Sequence, residues 1–124
     1  MLAAPPAQSA RELVTALFDI VDGRRWDDLG RVFADNCVYR RPGYEPFVGL
    51  ERIERFYRVE RVIASGRHDV EQVVAEGESI VCRGRFRGLS RTGAVLDEGF
   101  CDVHTLAPDG RIRARRTYFD RAAI

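Results

Sequence analysis

Residues 33–57 read FADNCVYRRPGYEPFVGLERIERFY, and the fold turns on them. Asn36 to Arg41 is a short strand-like run carrying Val38 and Tyr39. Pro42 ends it, because proline has no N–H to give to a ladder. Arg41 to Phe47 is a connector rich in turn formers. From Leu50 the period becomes that of a helix: Leu50, Ile53, Phe56, Tyr57 and Ile63 share one face, and Glu51, Glu54, Arg55 and Arg58 the other. Glu51 with Arg55 and Glu54 with Arg58 stand at i,i+4 in the favourable order, so this helix is expected to lie half exposed on something apolar. Strand, turn and helix in close succession make one wall of a cavity.

Upstream, Ser9-Ala-Arg-Glu12 fits a capping box. Leu13, Val14, Leu17, Phe18 and Val21 then form an apolar stripe that Gly23 stops, giving a first helix. Trp26, Leu29, Val32 and Phe33 recur at helical spacing and predict a short second helix interrupted at Gly30. Downstream, Ser65-Gly66 is expected to end the third helix. Residues 67–76, 79–88, 94–106 and 111–120 are β-rich runs separated by turn signals at Glu76-Gly-Glu, Ser-Arg-Thr-Gly93 and Ala-Pro-Asp-Gly110. Connectors this short join antiparallel neighbours. The order is therefore α-α-β-α-β-β-β-β, an α+β domain with a curved antiparallel sheet wrapped around three helices. Residues 9–124 are expected to form one domain, with residues 1–8 as a disordered N-terminus.

With 124 residues, 45% hydrophobic and 31% charged, one core suffices. Such a chain buries roughly two thirds of its unfolded surface. Its net charge of +1, from 20 basic and 19 acidic residues, gives no electrostatic case for nucleic acid or an anionic membrane. Every basic residue is Arg, a planar fork that stays charged when buried. Cys37, Cys82 and Cys101 are odd in number and widely spaced, which indicates neither a disulfide framework nor a zinc site. MLAAPPAQ lacks the basic start and apolar run of a signal peptide, and no membrane span stands out. A soluble cytoplasmic protein is the expectation.

This order of elements resembles the nuclear transport factor 2-like superfamily: the cone-shaped fold of ketosteroid isomerases, limonene epoxide hydrolases and SnoaL-like polyketide cyclases. The words that carry the resemblance are Phe33-Ala-Asp, the strand ended by Pro42, Gly49 before a helix with Phe56-Tyr57, Asp109-Gly-Arg-Ile, and Tyr118-Phe-Asp120. Fold and reaction part company in such superfamilies. Where ketosteroid isomerases carry their Asp base this chain has Arg41, and their oxyanion-hole Tyr falls near Ala16. Their second oxyanion-hole group is kept as Asp102. Limonene epoxide hydrolases share Tyr39 and the Arg at Arg83, but their two water-activating Asp positions are Arg85 and Thr117 here. That makes epoxide hydrolysis the weaker reading. SnoaL-like cyclases also have Asp at the Thr117 position.

Strand alternation puts Phe100, Asp102 and His104 on one face and Cys101, Val103 and Thr105 on the other. The resemblance turns the first set into the cone, with Arg83, Arg85, Arg115, Thr117 and Phe119 from adjacent strands. Periodicity alone reads Arg83, Arg85 and Arg87, and likewise Arg111, Arg113 and Arg115, as a solvated sheet face. The site residues that follow are Asp102 and His104 for proton handling, Arg83 and Arg41 for anion stabilisation and Tyr39 for orientation. Trp26, Phe56, Tyr57, Phe100, Arg115, Thr117 and Phe119 would hold substrate. Two His without metal-ligand spacing suggest no metal, and no cofactor is implied.

The leading functional expectation is a cofactor-independent isomerase, cyclase or dehydratase acting on a small hydrophobic oxygenated molecule, such as a polyketide or steroid-like ring. The alternative is a non-catalytic ligand-binding or association module. A deep closed cone holding Asp102 and His104 would favour chemistry, and a filled one a structural role. A homodimer is expected through the outer sheet face, where Cys101, Val103, Ile112 and Ala114 would otherwise stay wet. Nucleic acid and membrane are not expected as partners.

Overall fold

The structure, a computed structural model, describes residues 7–121. Helix α1 spans Ala7–Asp22 and buries Val14, Leu17, Phe18 and Val21, the stripe read from the sequence. It starts before Ser9, so Ser9 sits inside the helix instead of capping it, and residues 7 and 8 are helical. The rest of the segment expected to be disordered, residues 1–6, lies outside the described residues.

Trp26–Arg31 is a 3₁₀ turn, and the helix expected to continue to Phe33 gives way there to strand β1, Phe33–Arg40. The cause is non-local: Phe33 pairs with Ile112 of the last strand, and the Ile112 N–H donates to the Val32 carbonyl at 2.8 Å. β1 ends two residues before Pro42. A two-residue strand β2, Phe47–Val48, pairs back antiparallel on β1 and escapes the sequence pattern by its shortness.

Helix α2 covers Leu50–Arg55 and widens into a π turn at Phe56–Glu60. The widening lets adjacent Phe56 and Tyr57 both go inward, 0% and 2% exposed. The helix stops at Arg61, whose backbone is extended, not at Ser65-Gly66. Ile63, Ser65 and Gly66 belong instead to β3, Ile63–Glu76, where they face Ser90, Leu89 and Gly88. Glu54 pairs with Arg58 at 2.8 Å as expected, whereas Arg55 turns to Glu60 at 3.3 Å.

Strands β4 (Ser79–Ser90), β5 (Val95–Leu106) and β6 (Ile112–Phe119) follow through tight turns, with Gly77 and Gly93 at φ +59° and +88°. The six-stranded sheet runs β2-β1-β6-β5-β4-β3. It is mixed, because β1 lies parallel to β6 while every other neighbour is antiparallel. An all-antiparallel sheet was expected; the helical crossover between β1 and the hairpins permits the parallel pair. The sheet curves around the helices into a cone, with α1 lying on β3.

Candidate functional site in the cone

β5 alternates as its sequence says: Glu98, Phe100, Asp102, His104 and Leu106 are buried, and the residues between them half buried. β4 alternates too, but with Ile80, Cys82 and Phe86 inward. Arg83 and Arg85 therefore point away from the cone, which corrects the expectation that they line it. Arg83 is 57% exposed and donates to Gln72 and Glu71 at 2.9 and 3.0 Å; Arg85 holds Asp97 at 2.6 Å. On β6 a bulge opposite Thr105/Leu106 resets the alternation, so Ile112, Arg115 and Thr117 all face inward while Arg113 faces out. Ile112, at 1% exposed, is thus core and not part of an outer apolar face.

These strands bring together a directed chain of hydrogen bonds. Arg41 donates through Nη1 to the Tyr39 hydroxyl at 3.0 Å. Tyr39 donates to Thr117 Oγ1 at 2.8 Å, and Thr117 donates to Asp102 Oδ1 at 2.5 Å. The other carboxylate oxygen takes Arg115 Nη2 at 2.8 Å and Nε at 3.3 Å, while Arg115 Nη1 donates to the Tyr57 hydroxyl at 2.8 Å. Burial alone would push the Asp102 carboxyl up, but Arg115, then His104 and the Thr117 hydrogen bond, hold it below its ordinary value. Charge pairing wins over desolvation, with Arg115 as the partner. Arg115 stays charged, far above any working pH, with Asp102 foremost in offsetting its burial.

His104 lies beneath this network. Its Nε2 is 3.8 Å from Cys82 Sγ and 4.0 Å from Asp102 Oδ2, and its Nδ1 has no hydrogen-bond partner. Burial pushes its pKa down to about 4. Cys82, Asp102 and His104 offer ligand atoms within 4.8 Å of one another. The set suits a cation poorly: Arg115 already occupies the place beside Asp102, and burial drives the thiol up to about 12.

The space inside the cone is faced by Tyr57, Arg61, His68, Phe86, Phe100, Asp102, Arg115, Thr117 and Phe119, with Arg41 at its rim. Its volume is about 10 Å³, room for about one water. The cone is therefore nearly filled. Of the residues expected to meet a substrate, Tyr57, Phe100, Arg115, Thr117 and Phe119 reach this space. Trp26 and Phe56 support it from behind: Trp26 stacks on Tyr57 with centroids 5.2 Å apart, and Phe56 on Phe47 at 4.5 Å. Beyond Phe100 and Phe119 a surface hollow of about 420 Å³ opens, with Arg83 and Arg85 on its wall.

Two residues of the cone were not foreseen. His68 enters from β3, stacked on Phe18 at 4.2 Å. Asp22, the last residue of α1, accepts the His68 backbone N–H at 2.8 Å and Nδ1 at 2.6 Å. With Nδ1–H committed to a carboxylate, Nε2 carries the lone pair. Burial lowers the His68 pKa against the pull of Asp22, so the ring is neutral near pH 7. Its signal was in the sequence: Arg67, Asp69 and Glu71 alternate with Gly66, His68 and Val70, which puts His68 on the apolar face. Arg61, the residue after the π turn, is 4% exposed and lies over Tyr57 and Phe86 at 5.3 and 6.0 Å. Nothing local marks it, because its direction depends on where the helix stops.

Comparison with known proteins agrees with this architecture. The sequence profile of the SnoaL-like domain matches residues 14–115, and the chain belongs to that family. No curated protein matches it. A candidate SnoaL-like polyketide cyclase from Jannaschia sp. CCS1 superposes with a TM-score of 0.79 at 23% identity, over 94% of this chain and 88% of that one. An LEH-like epoxide hydrolase from M. tuberculosis gives 0.78 at 21% identity, over 94% and 86%. A protein with a ketosteroid isomerase-like fold from Catenulispora acidiphila DSM 44928, solved with trimethylamine, gives 0.77 at 17%, over 86% and 84%. At such identities these likenesses speak for the fold. No helix among the described residues is long and apolar enough to cross a membrane.

Proposed function

We propose that the protein is a cofactor-independent acid–base enzyme of the isomerase or cyclase type, acting on a small hydrophobic oxygenated molecule in the cone. The observation that carries this is the His68–Asp22 pair facing the same enclosed space as Arg61 and the Arg115–Asp102–Tyr57 cluster. His68 Nε2 takes a proton from a carbon next to a substrate carbonyl. The electron pair moves onto the oxygen as an enolate, which the Arg61 N–H groups stabilise. The imidazolium, steadied by Asp22, then returns its proton to another carbon, or the enolate attacks a second carbonyl and closes a ring. Proton handling thus falls to His68 in place of His104, which does not reach the space. Asp102 serves by fixing Arg115, and Tyr39 by fixing Thr117. Phe119, half buried at the end of β6, is the ring that yields to admit substrate.

The small size of the space favours a second reading, a ligand-binding or association module without chemistry. Deuterium exchange separates the two. In D2O at pH 7.5, with the α-hydrogens of a bicyclic ketone such as 2-tetralone followed by NMR, the protein should accelerate exchange at least tenfold. His68→Gln should remove the acceleration and keep the native circular dichroism. Ketones that bind without any acceleration would leave the second reading standing.

A further inference from the structure

Arg61 is the feature that proton transfer by itself leaves unexplained. It is a full positive charge held 4% exposed at the end of an interrupted helix. Among the described residues no carboxylate lies within 4.0 Å of it, its Nε has no hydrogen-bond partner, and no side-chain hydrogen bond engages its other N–H groups. Tyr57 and Phe86 cover its flat faces. That leaves the in-plane N–H edge, the part of a guanidinium that reads a carboxylate, unused. An isolated buried cation is costly unless something pairs with it. Burial accordingly lowers the Arg61 pKa to about 10, with Asp22, already bound to His68, contributing only a minor opposing pull.

We infer that the cone is built for an organic anion: a carboxylate, or an enol oxygen ionised in the ground state, whose oxygens take the free N–H edge of Arg61 while its ring lies among Tyr57, Phe86 and Phe100. The same wall rejects neutral ligands of equal shape, because they would leave the guanidinium buried without a counter-charge. This rests on the reading of the cone as a ligand site, but not on proton transfer. The residues that fix the two differ: Arg61 sets the charge class, and His68 the chemistry.

The test uses cyclohexanecarboxylate and cyclohexanecarboxamide, matched in shape and transparent where the single tryptophan emits. Trp26 reports on the site through its stack on Tyr57. At constant ionic strength the carboxylate should bind at least tenfold more tightly than the amide. Arg61→Met should bring the difference below twofold and should melt no lower than the wild type. Equal binding of the two by the wild type, or a preference retained in Arg61→Met, overturns the inference. So does a several-degree drop in the melting temperature of Arg61→Met, which would make the guanidinium a structural group lying on its two rings. Inorganic phosphate protecting as well as the carboxylate would also count against an organic ligand. His68→Gln losing exchange while still preferring the carboxylate supports the inference. Loss of proton exchange with the charge preference intact in the wild type overturns only the catalytic reading.

Discussion

Asp102 is the residue on which most of the interior charge depends. Both of its oxygens are occupied, and its partner Arg115 is as deeply buried as it is. Asp102→Asn would keep the shape and strand the Arg115 cation. The expected cost is about 3–5 kcal/mol, read as a fall in the urea midpoint. A well-tolerated Asn would mean that the carboxyl was neutral all along. His104 governs the response to acid. Its pKa is about 4 in the folded protein, against about 6.5 in an unfolded chain. Between those values the unfolded chain takes up a proton that the native state refuses. Stability is therefore whole above about pH 6.5 and falls toward pH 4, by roughly 3 kcal/mol for this ring. Burial lowers His68 too, against Asp22, so it acts in the same direction. Urea midpoints measured from pH 7.5 to 4.5 should show the decline, and His104→Leu should flatten it. A wild-type midpoint that stays level across that range would refute the assignment.

Among the elements, the β3–β4 hairpin and the α2 π turn decide what enters the cone. The π turn ends α2 early enough for Arg61 to point inward, and π turns recur where helices serve a site. The hairpin holds His68 opposite Phe86. Its strands approach closely at Gly84, where an added Cβ would sit 2.0 Å from the Asp69 carbonyl oxygen. That neighbour is backbone and cannot swing away. Gly84→Ala should therefore cost about 1–3 kcal/mol and loosen the strand that carries His68. Faster amide exchange across residues 66–70 than in the wild type is the expected sign. Unchanged exchange with unchanged stability would show that the bulge absorbs the methyl.

For the whole molecule, the outer sheet face is the remaining question. Cys101, Val103 and Ala114 are half buried there, and Tyr118 is 50% exposed. With Ile112 turned inward the apolar area is smaller than the sequence suggested, and Arg83, Arg85 and Arg113 cross it in ion pairs with Glu71, Asp97 and Glu78. We propose a homodimer through this face, in which the paired Arg side chains form the rim. Sedimentation at micromolar concentration should give a dimer, and Val103→Arg should yield monomers without loss of secondary structure. A wild-type monomer under those conditions would count against it.

What the sequence determined by itself is what local periodicity and turn chemistry can carry. α1 followed from its stripe, the three hairpins from their glycines, and the end of β1 from Pro42. Phe100, Asp102 and His104 shared a face because a strand alternates whatever its partners are. The alternation of Ile80, Cys82 and Phe86 with Arg83, Arg85 and Arg87 was equally legible, and only the family likeness drew Arg83 inward. Tertiary pairing decided the rest. β1 lies parallel to β6 because distant residues meet there, and the bulge that separates Arg115 from Arg113 exists only within that pairing. Arg61 and His68 reach the cone because α2 yields to β3 at Arg61, where pairing with β4 outweighs continued helix. Their contribution depends on contacts between segments far apart in the chain, which no local pattern encodes.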